Sequence, residues 1–244
     1  ERYIYDMKAS LALEDLKGYG KKGRVGDLSR FFKTAPGEYG EGDLFFGGTV
    51  PQTRSVAKKF KDLDFDELTK LFNSPFHEAR LCAAIILNLQ FKEAKTSQRR
   101  KKIFDFYMKQ VRADRVNNWD IVDVSAPWMG VYLMEVDDPM PLLIKLSKSK
   151  SLWQRRVSII LTFALIRAGD LEPTLTISEI LLQDKEDLIH KAVGWMLREL
   201  GKKDVMLLRE FLKHHSHEMP RTMLRYAIEK LPESERKRWL TESK

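Results

Sequence analysis

After residue 50, apolar side chains recur every three or four positions along most of the chain, which is the spacing of an α-helix that buries one face. Segment 151–168 shows this pattern clearly, and Ser151 with Gln154 forms a capping box at its start. Its apolar stripe consists of Trp153, Val157, Ile160, Ala164 and Ala168. No segment alternates apolar and polar residues as a half-buried strand does, so the pattern predicts an all-α protein.

A second strong helical pattern lies in "DKEDLIHKAVGWMLRELG". We expect Asp184 to cap its amino end, and Gly201 lies where a glycine commonly ends a helix. Short links between such segments favour antiparallel packing of neighbouring helices. The same spacing predicts further helices over residues 53–61, 65–72, 75–91, 97–110, 139–148, 172–182, 204–213, 219–230 and 233–241.

Each pair of predicted helices covers roughly 35 to 45 residues, the length of a HEAT or armadillo unit, although no strict sequence repeat is visible. Such pairs stack into a solenoid with a concave binding face. We therefore predict one all-helical domain over 1–244, with N-terminal helices and a glycine-rich loop in 1–50. Residues 51–244 are predicted to form a curved, right-handed solenoid of HEAT-like antiparallel helix pairs.

The glycine-rich stretch "TAPGEYGEGDLFFGGTVP", residues 34–51, is predicted to be a long loop. Loops of this length are usually functional or disordered. Tyr39, Phe45 and Phe46 favour a packed loop over a disordered one. The stretch lacks the lysine and the following serine or threonine of a phosphate-binding P-loop.

Composition narrows the class of protein. Hydrophobic residues make up 43% of the chain, which indicates a globular protein, and 43 basic against 35 acidic residues leave a net charge of +8. If that excess is gathered on one face, it suggests a polyanionic partner such as nucleic acid. The single cysteine, Cys82, cannot form an internal disulfide, which favours a reducing cytoplasm. Without a signal-peptide pattern or a run of about 20 apolar residues, we expect a soluble protein with no membrane partner.

The stretch "NNWDIVDVSAPW", residues 117–128, concentrates aromatic and acidic residues. If it is helical, Trp119 and Asp123 are four residues apart and share a face, so an aromatic ring stands beside a carboxylate. Such a pair is either a packed corner or a working site.

A second candidate surface combines basic residues with a tryptophan. Lys191, Trp195, Arg198 and Lys202 follow one another at steps of three and four residues and form one stripe of a predicted helix. The stripe is suited to a polyanion. The alternative is that Trp195 packs at a helix crossing while the cations only solvate the surface.

A third candidate lies at the start of the helix after Ser151. Arg155 and Arg156, with Lys148 and Lys150 upstream, surround exposed amides and the positive end of the helix dipole, a combination that suits a phosphate. By itself, this cluster is more typical of a solvated face.

Near residue 215, His214, His215 and His217 lack metal-ligand spacing, so we interpret them as surface residues and predict no metal.

Several ordered motifs together resemble the HEAT-like-repeat DNA alkylation repair glycosylases of the AlkD type. The resemblance rests on "GGTVPQTR" at 47–54, "WDIVD" at 119–123, "WQRRVSI" at 153–159 and "HKAVGWMLRE" at 190–199, and it extends over most of 30–230. It implies the HEAT-like fold, binding to double-stranded DNA that contains alkylated bases, and base excision repair in a prokaryotic cytoplasm or nucleoid.

The resemblance also implies roles for single residues. Asp123 matches the catalytic carboxylate, and Trp119 and Trp195 match the aromatic residues of the cleft that faces the lesion. Phe31 stands where members of the family have a tyrosine, and Asn118 where another tryptophan is expected.

Cations near the damaged nucleotide follow from the same comparison. Arg156 and Arg198 match residues that hold the DNA backbone, and we assign Arg155, Lys191 and Lys202 to the same surface.

Together with these residues, the resemblance implies a DNA glycosylase that removes cationic N3- or N7-alkylated purines, such as 3-methyladenine and 7-methylguanine. We expect it to act as a monomer without metal or cofactor. Two alternatives stay open. One is a non-catalytic paralogue that binds damaged or unusual DNA structures, and the other is a HEAT-type scaffold for proteins.

Overall fold

The computed structural model describes residues 7–242 of the chain. This part consists of fourteen α-helices, one short 3-10 helix and their links, and its β pairing is an isolated bridge between Leu44 and Phe76. The all-α class predicted from the apolar spacing is therefore confirmed. The chain divides into two compact units, one ending at Ser125 and the other beginning at Ala126.

The first unit is built around a long central helix. It contains α1 (Ala9–Gly18), α2 (Lys22–Phe31), α3 (Val50–Lys59), α4 (Phe65–Phe72), α5 (His77–Glu93), α6 (Ser97–Arg112) and the start of α7 (Trp119–Met129). Helices α3, α4 and α6 pack against α5. Residues 80–87 of α5 are all buried, and burial raises the pKa of the Cys82 thiol to about 12, so this cysteine is a neutral core residue.

The second unit is organised around two long helices that pack on each other, α9 and α11. After the end of α7 and a 3-10 helix (Gly130–Glu135), it contains α8 (Met140–Ser147), α9 (Leu152–Ala168), α10 (Glu172–Ile180), α11 (Asp187–Lys203), α12 (Val205–His215), α13 (Arg221–Ala227) and α14 (Glu233–Glu242). Helices α8 and α10 cover α9, while α12 and α13 cover α11. No helix within residues 7–242 is both long enough and apolar enough to cross a membrane.

The helix ends show where local signals succeed and fail. The Ser151 hydroxyl accepts a hydrogen bond from Gln154 N–H, so the predicted cap of α9 is confirmed. The prediction that Asp184 caps α11 is wrong: the cap position is Glu186. Gly201 does not end α11 either. It lies inside the helix, and Leu208 packs 2.4 Å from where a Cβ would stand, so close packing accounts for the glycine at this position.

Residues 32–49, between α2 and α3, form the glycine-rich loop, and its aromatic side chains pack as predicted. Phe45 is buried, and Phe46 stacks on Phe76 with 3.9 Å between ring centroids. The loop ends two residues earlier than predicted, because Thr49 and Gln52 form a capping box at the start of α3.

Backbone hydrogen bonds fasten this loop across the amino end of α5. Leu44 N–H donates to the Pro75 carbonyl (3.0 Å), and His77 N–H donates to the Leu44 carbonyl (2.8 Å). The buried carboxylate of Glu78 accepts N–H groups from residues 46–48 at 2.9 to 3.2 Å. The loop is therefore a fixed part of the first unit.

Gly47 and Gly48 provide a matched test of this attachment. Gly47 has φ of 93°, and a Cβ there would lie 2.3 Å from the Lys21 carbonyl oxygen, whereas a Cβ at Gly48 would meet nothing within 4 Å. Gly47→Ala should lower the free energy of unfolding by at least about 2 kcal/mol, and Gly48→Ala should change it by less than about 1 kcal/mol. Urea denaturation of both variants measures the difference, and equal stabilities would contradict the described loop.

Candidate functional site

The segment around Trp119 forms the first turns of α7. The Asn118 carbonyl accepts a hydrogen bond from Val122 N–H (3.0 Å), and the Asn118 side-chain oxygen accepts one from Trp119 N–H (2.9 Å). Trp119 and Asp123 are four residues apart within this helix, so they lie along one face. Both side chains are half-buried, and each therefore has a part that solvent can reach.

Two phenylalanines at the end of α2 lie against Trp119. The Phe32 ring stacks on the indole with 5.6 Å between centroids and 22° between planes. The Phe31 ring meets the indole edge-on at 5.9 Å and 69°, and Phe31 is 62% exposed. The structure thus brings together Phe31 and Trp119, two of the residues predicted to face a substrate, and supports them with the buried Phe32.

A polar network that sequence reasoning missed lies beside these rings. The His77 side chain bridges two carboxylates: Nδ1 is 3.2 Å from Asp43 Oδ2, and Nε2 is 2.8 Å from Asp120 Oδ2. Asp43 also accepts a hydrogen bond from Asn118 Nδ2 (3.2 Å) and forms an ion pair with Arg80. The glycine-rich loop, α5 and the start of α7 are therefore joined through one aspartate.

The sequence does contain a signal for this network. His77, Glu78 and Arg80 stand at the start of α5, directly before a run of apolar residues that is buried throughout. Polar side chains at the end of so buried a helix need partners, because an unpaired charge in the interior is strongly unfavourable. The identity of those partners could not be read from spacing.

Electrostatics keep the network charged. Burial by itself would lower the pKa of His77, but the carboxylates of Asp120 and Asp43 outweigh it and raise the pKa to about 9. Burial likewise favours a neutral Asp43, yet the hydrogen bond from His77 and the charge of Arg80 hold the pKa of Asp43 below its ordinary value. At neutral pH, two cations and two carboxylates face one another.

The rest of the first turns of α7 is held by neutral groups. Asn88 of α5 donates to the Val124 carbonyl (2.7 Å), and the hydroxyls of Ser125 and Tyr107 are hydrogen-bonded at 3.1 Å. Burial raises the pKa of Tyr107, the bond with Ser125 opposes this rise, and the negative charge of Asp123 adds to it. Tyr107 is therefore neutral, and the charge of Asp123 helps to keep it so.

In the second unit, Trp195 lies on α11 among basic residues. Its half-buried indole is tilted against Phe163 of α9, with 6.0 Å between ring centroids. The neighbouring cations of the helix are engaged with acidic side chains. The pairs are Lys191 with Asp187 (2.7 Å), Lys202 with Glu199 (2.7 Å) and Arg198 with Glu229. Trp195 thus has a packing contact, and the stripe beside it is a surface of ion pairs.

The arginine pair at the start of α9 is directed into the protein. Arg155 forms a two-point ion pair with Asp184, with its Nε 2.6 Å from a carboxylate oxygen, and it also donates to the carbonyls of Ser149 and Lys150. Arg156 is 4% exposed and donates to the Leu188 carbonyl. Arg155 therefore fastens the links that precede α9 and α11, and Arg156 fastens the first turn of α11 to α9. The ion pair with Arg155 takes Asp184 away from capping.

The histidines near residue 215 each lie beside a glutamate. Their pairs are His214 with Glu210 (2.8 Å), His215 with Glu179 (3.4 Å) and His217 with Glu218 (3.3 Å). Across residues 7–242, no three histidine, cysteine or carboxylate side chains come together in a group that could hold a metal ion.

Comparison with known proteins identifies the family. Residues 12–231 match the model of the family described as DNA alkylation repair enzyme. Since this match covers most of the chain, the protein belongs to the DNA alkylation repair enzyme family, as its motifs predicted. No curated protein is similar enough in sequence to match.

Solved structures share the fold. A predicted DNA alkylation repair enzyme from Enterococcus faecalis has 15% identity and a TM-score of 0.67, over 88% of this chain and 97% of that one. A protein of a family related to the HEAT-like repeat DNA glycosylases, with affinity for branched DNA structures, has 14% identity and a TM-score of 0.55, over 87% and 83%. AlkD2 from Streptococcus mutans has 18% identity and a TM-score of 0.54, over 87% and 99%. The predicted HEAT-like fold is confirmed.

The raised pKa of His77 predicts how stability depends on pH. The folded protein keeps the proton up to about pH 9, whereas the unfolded chain loses it near pH 6.5, so this stabilisation is complete below pH 6.5 and is lost as pH rises through 9. The free energy of unfolding should fall over that window by on the order of 3 kcal/mol. Urea titrations at several pH values measure the fall. The variant His77→Gln serves as the control, and a fall of the same size in that variant would exclude His77 as its source.

Proposed function

We propose that this protein is a DNA glycosylase that removes N3- or N7-alkylated purines from duplex DNA. Membership in the DNA alkylation repair enzyme family supports the reaction class. The observation that carries the proposal is the start of α7, where Trp119 and Asp123 share one helix face and the exposed Phe31 lies edge-on to the indole. A flat aromatic surface beside a carboxylate suits a planar, positively charged base joined to a sugar.

The proposed chemistry needs few groups. An N3- or N7-alkylated purine is already cationic and its glycosidic bond is weakened, so it can leave without being protonated. The sugar becomes oxocarbenium-like as the base departs, and the Asp123 carboxylate stabilises that charge and positions water for attack at C1′. Trp119 attracts the cationic nucleotide through its π face, by about 0.5 to 2 kcal/mol. A neutral base would gain neither advantage.

Binding of the DNA backbone is assigned to the surface beside Trp195. Exposed ion pairs such as Lys191 with Asp187 contribute little to stability, so their lysines can exchange a carboxylate for a phosphate. We assign Lys191, Lys202 and Arg198 to this role. Arg155 and Arg156 are assigned a supporting role: Arg155 holds the link before α11, and Arg156 holds the first turn of α11. Contacts of this kind address phosphates, so little sequence preference is expected.

A second candidate function is binding without excision. Two differences from the family pattern support it. Phe31 has no hydroxyl where family members have a tyrosine, and Asn118, which stands where a tryptophan is expected, is buried and bonded to Asp43. A solved relative of the same fold is described as having affinity for branched DNA structures. Excision activity distinguishes the two functions.

The first test of the proposed function examines Asp123 alone. Asp123→Asn keeps the shape but removes the charge, so single-turnover release of 7-methylguanine from duplex DNA should slow by at least about 100-fold, or about 2.7 kcal/mol, while DNA affinity changes by less than about threefold. The matched control is Asp105→Asn on α6, which removes an exposed carboxylate paired with Lys101 and should leave the rate intact. EDTA in the reaction should have no effect, because the proposed mechanism uses no metal.

Melting temperature must be measured on the same preparations. A stable Asp123→Asn variant that binds DNA and excises at the parental rate would remove Asp123 from the chemistry. A parent protein that binds DNA and releases no base would support the second candidate function instead.

The second test of the proposed function concerns the phosphate contacts. Lys191→Ala should reduce the slope of log affinity against log salt concentration by about one, because each phosphate contact releases about one counterion. The control is Lys101→Ala, since Lys101 and Lys191 each form an i,i+4 ion pair of 2.7 Å but lie on different helices. Fluorescence anisotropy with labelled duplex DNA gives both slopes. Equal slopes in the two variants would place the DNA elsewhere.

A further inference from the structure

The network around His77 requires a positively charged imidazole. Both ring nitrogens lie within hydrogen-bond distance of a carboxylate oxygen, at 3.2 Å from Asp43 and 2.8 Å from Asp120. Ionised carboxylates only accept hydrogen bonds, so both nitrogens must donate. The histidine is 2% exposed, and water therefore does not replace either partner. Removing the charge from His77 would leave two carboxylates near each other without their shared donor.

The aromatic layer connects this imidazolium to Trp119. Phe45 stacks on the His77 ring at 5.1 Å, and Phe32 lies over the same ring at 4.5 Å between centroids. Phe32 in turn stacks on Trp119 at 5.6 Å. Aromatic faces attract a cation, so the charged ring favours this order of packing. The indole rests on a column of rings that begins at His77.

The chain on both sides of Trp119 is tied to the same network. Asn118, immediately before it, donates to Asp43 (3.2 Å), and Asp120, immediately after it, accepts from His77 (2.8 Å). A residue whose two neighbours are fixed in this way cannot rotate its backbone independently. The direction in which the indole leaves the helix is therefore set by buried charges.

We propose that His77 is a positioning residue for base excision, which orients the Trp119 ring and fixes the start of α7, the helix that carries Asp123. This role presupposes the glycosylase activity proposed above. His77 itself is 2% exposed, so the proposed role requires no contact between His77 and DNA. Its loss is expected to slow excision much more than it weakens DNA binding, because the proposed phosphate contacts lie in the other unit.

The test compares two neighbouring buried residues. His77→Gln and Glu78→Gln each remove one charge from the amino end of α5, but Glu78 contacts the amides of residues 46–48 and neither Asp43 nor Asp120. Assayed below both melting temperatures, His77→Gln should release 7-methylguanine at least tenfold more slowly, with affinity for DNA within threefold of the parent. Glu78→Gln should keep the rate within threefold. Adding Asp120→Asn to His77→Gln restores a neutral hydrogen-bonded pair and should recover at least threefold of the lost rate.

A second readout does not depend on activity. The near-ultraviolet circular dichroism of Trp119 is obtained by subtracting the spectrum of the corresponding Trp119→Phe protein. This signal should be lost in His77→Gln and kept in Glu78→Gln. If the parent excises no base, the proposed function fails, while the spectra still decide whether His77 orients Trp119.

Two results would overturn the positioning role. One is a His77→Gln protein that retains both the parental rate and the Trp119 spectrum. The other is an equal loss of rate and spectrum in His77→Gln and Glu78→Gln, which would mean that His77 only stabilises the fold.

Discussion

The buried pairing of His77 with Asp43 and Asp120 is the interaction on which the candidate site depends. Arg80 completes the group, so two cations and two carboxylates balance in a place from which water is largely excluded. Removing one member of such a group leaves an uncompensated charge and typically destabilises a protein by about 3 to 5 kcal/mol. The relative positions of the loop, α5 and the start of α7 consequently depend on the same group of charges.

Charged side chains are used in two ways in this protein. Buried cations of the first unit bind its own carboxylates and fix a helix start, whereas the stripe beside Trp195 carries exposed ion pairs that salt and phosphate can displace. The arginines at the start of α9 resemble the first type, because they are tied to Asp184 and to main-chain carbonyls. Arg155 and Arg156 therefore add to the net charge of +8 while they are engaged within the protein.

The sequence predicted the helices well because their signal is local. Apolar spacing located α3 to α6 and α8 to α14, and the four-residue step from Trp119 to Asp123 anticipated their common face. The polar network was missed because its contacts join residues 34 to 75 positions apart, and no local pattern records such a meeting. Gly201 and Asp184 were misread for the same reason: Leu208 in one case and Arg155 in the other decides their role.

The hold of Glu78 on the glycine-rich loop has a consequence for ligands. The N–H groups of three successive residues, Phe46 to Gly48, donate to a single carboxylate group. Glycine-rich turns bind anions with the same arrangement of amides. Here the carboxylate of Glu78, which belongs to the protein itself, already occupies the position of the anion. The turn is a self-occupied anion nest, closed to a nucleotide phosphate for as long as the helix that carries Glu78 stays folded against it.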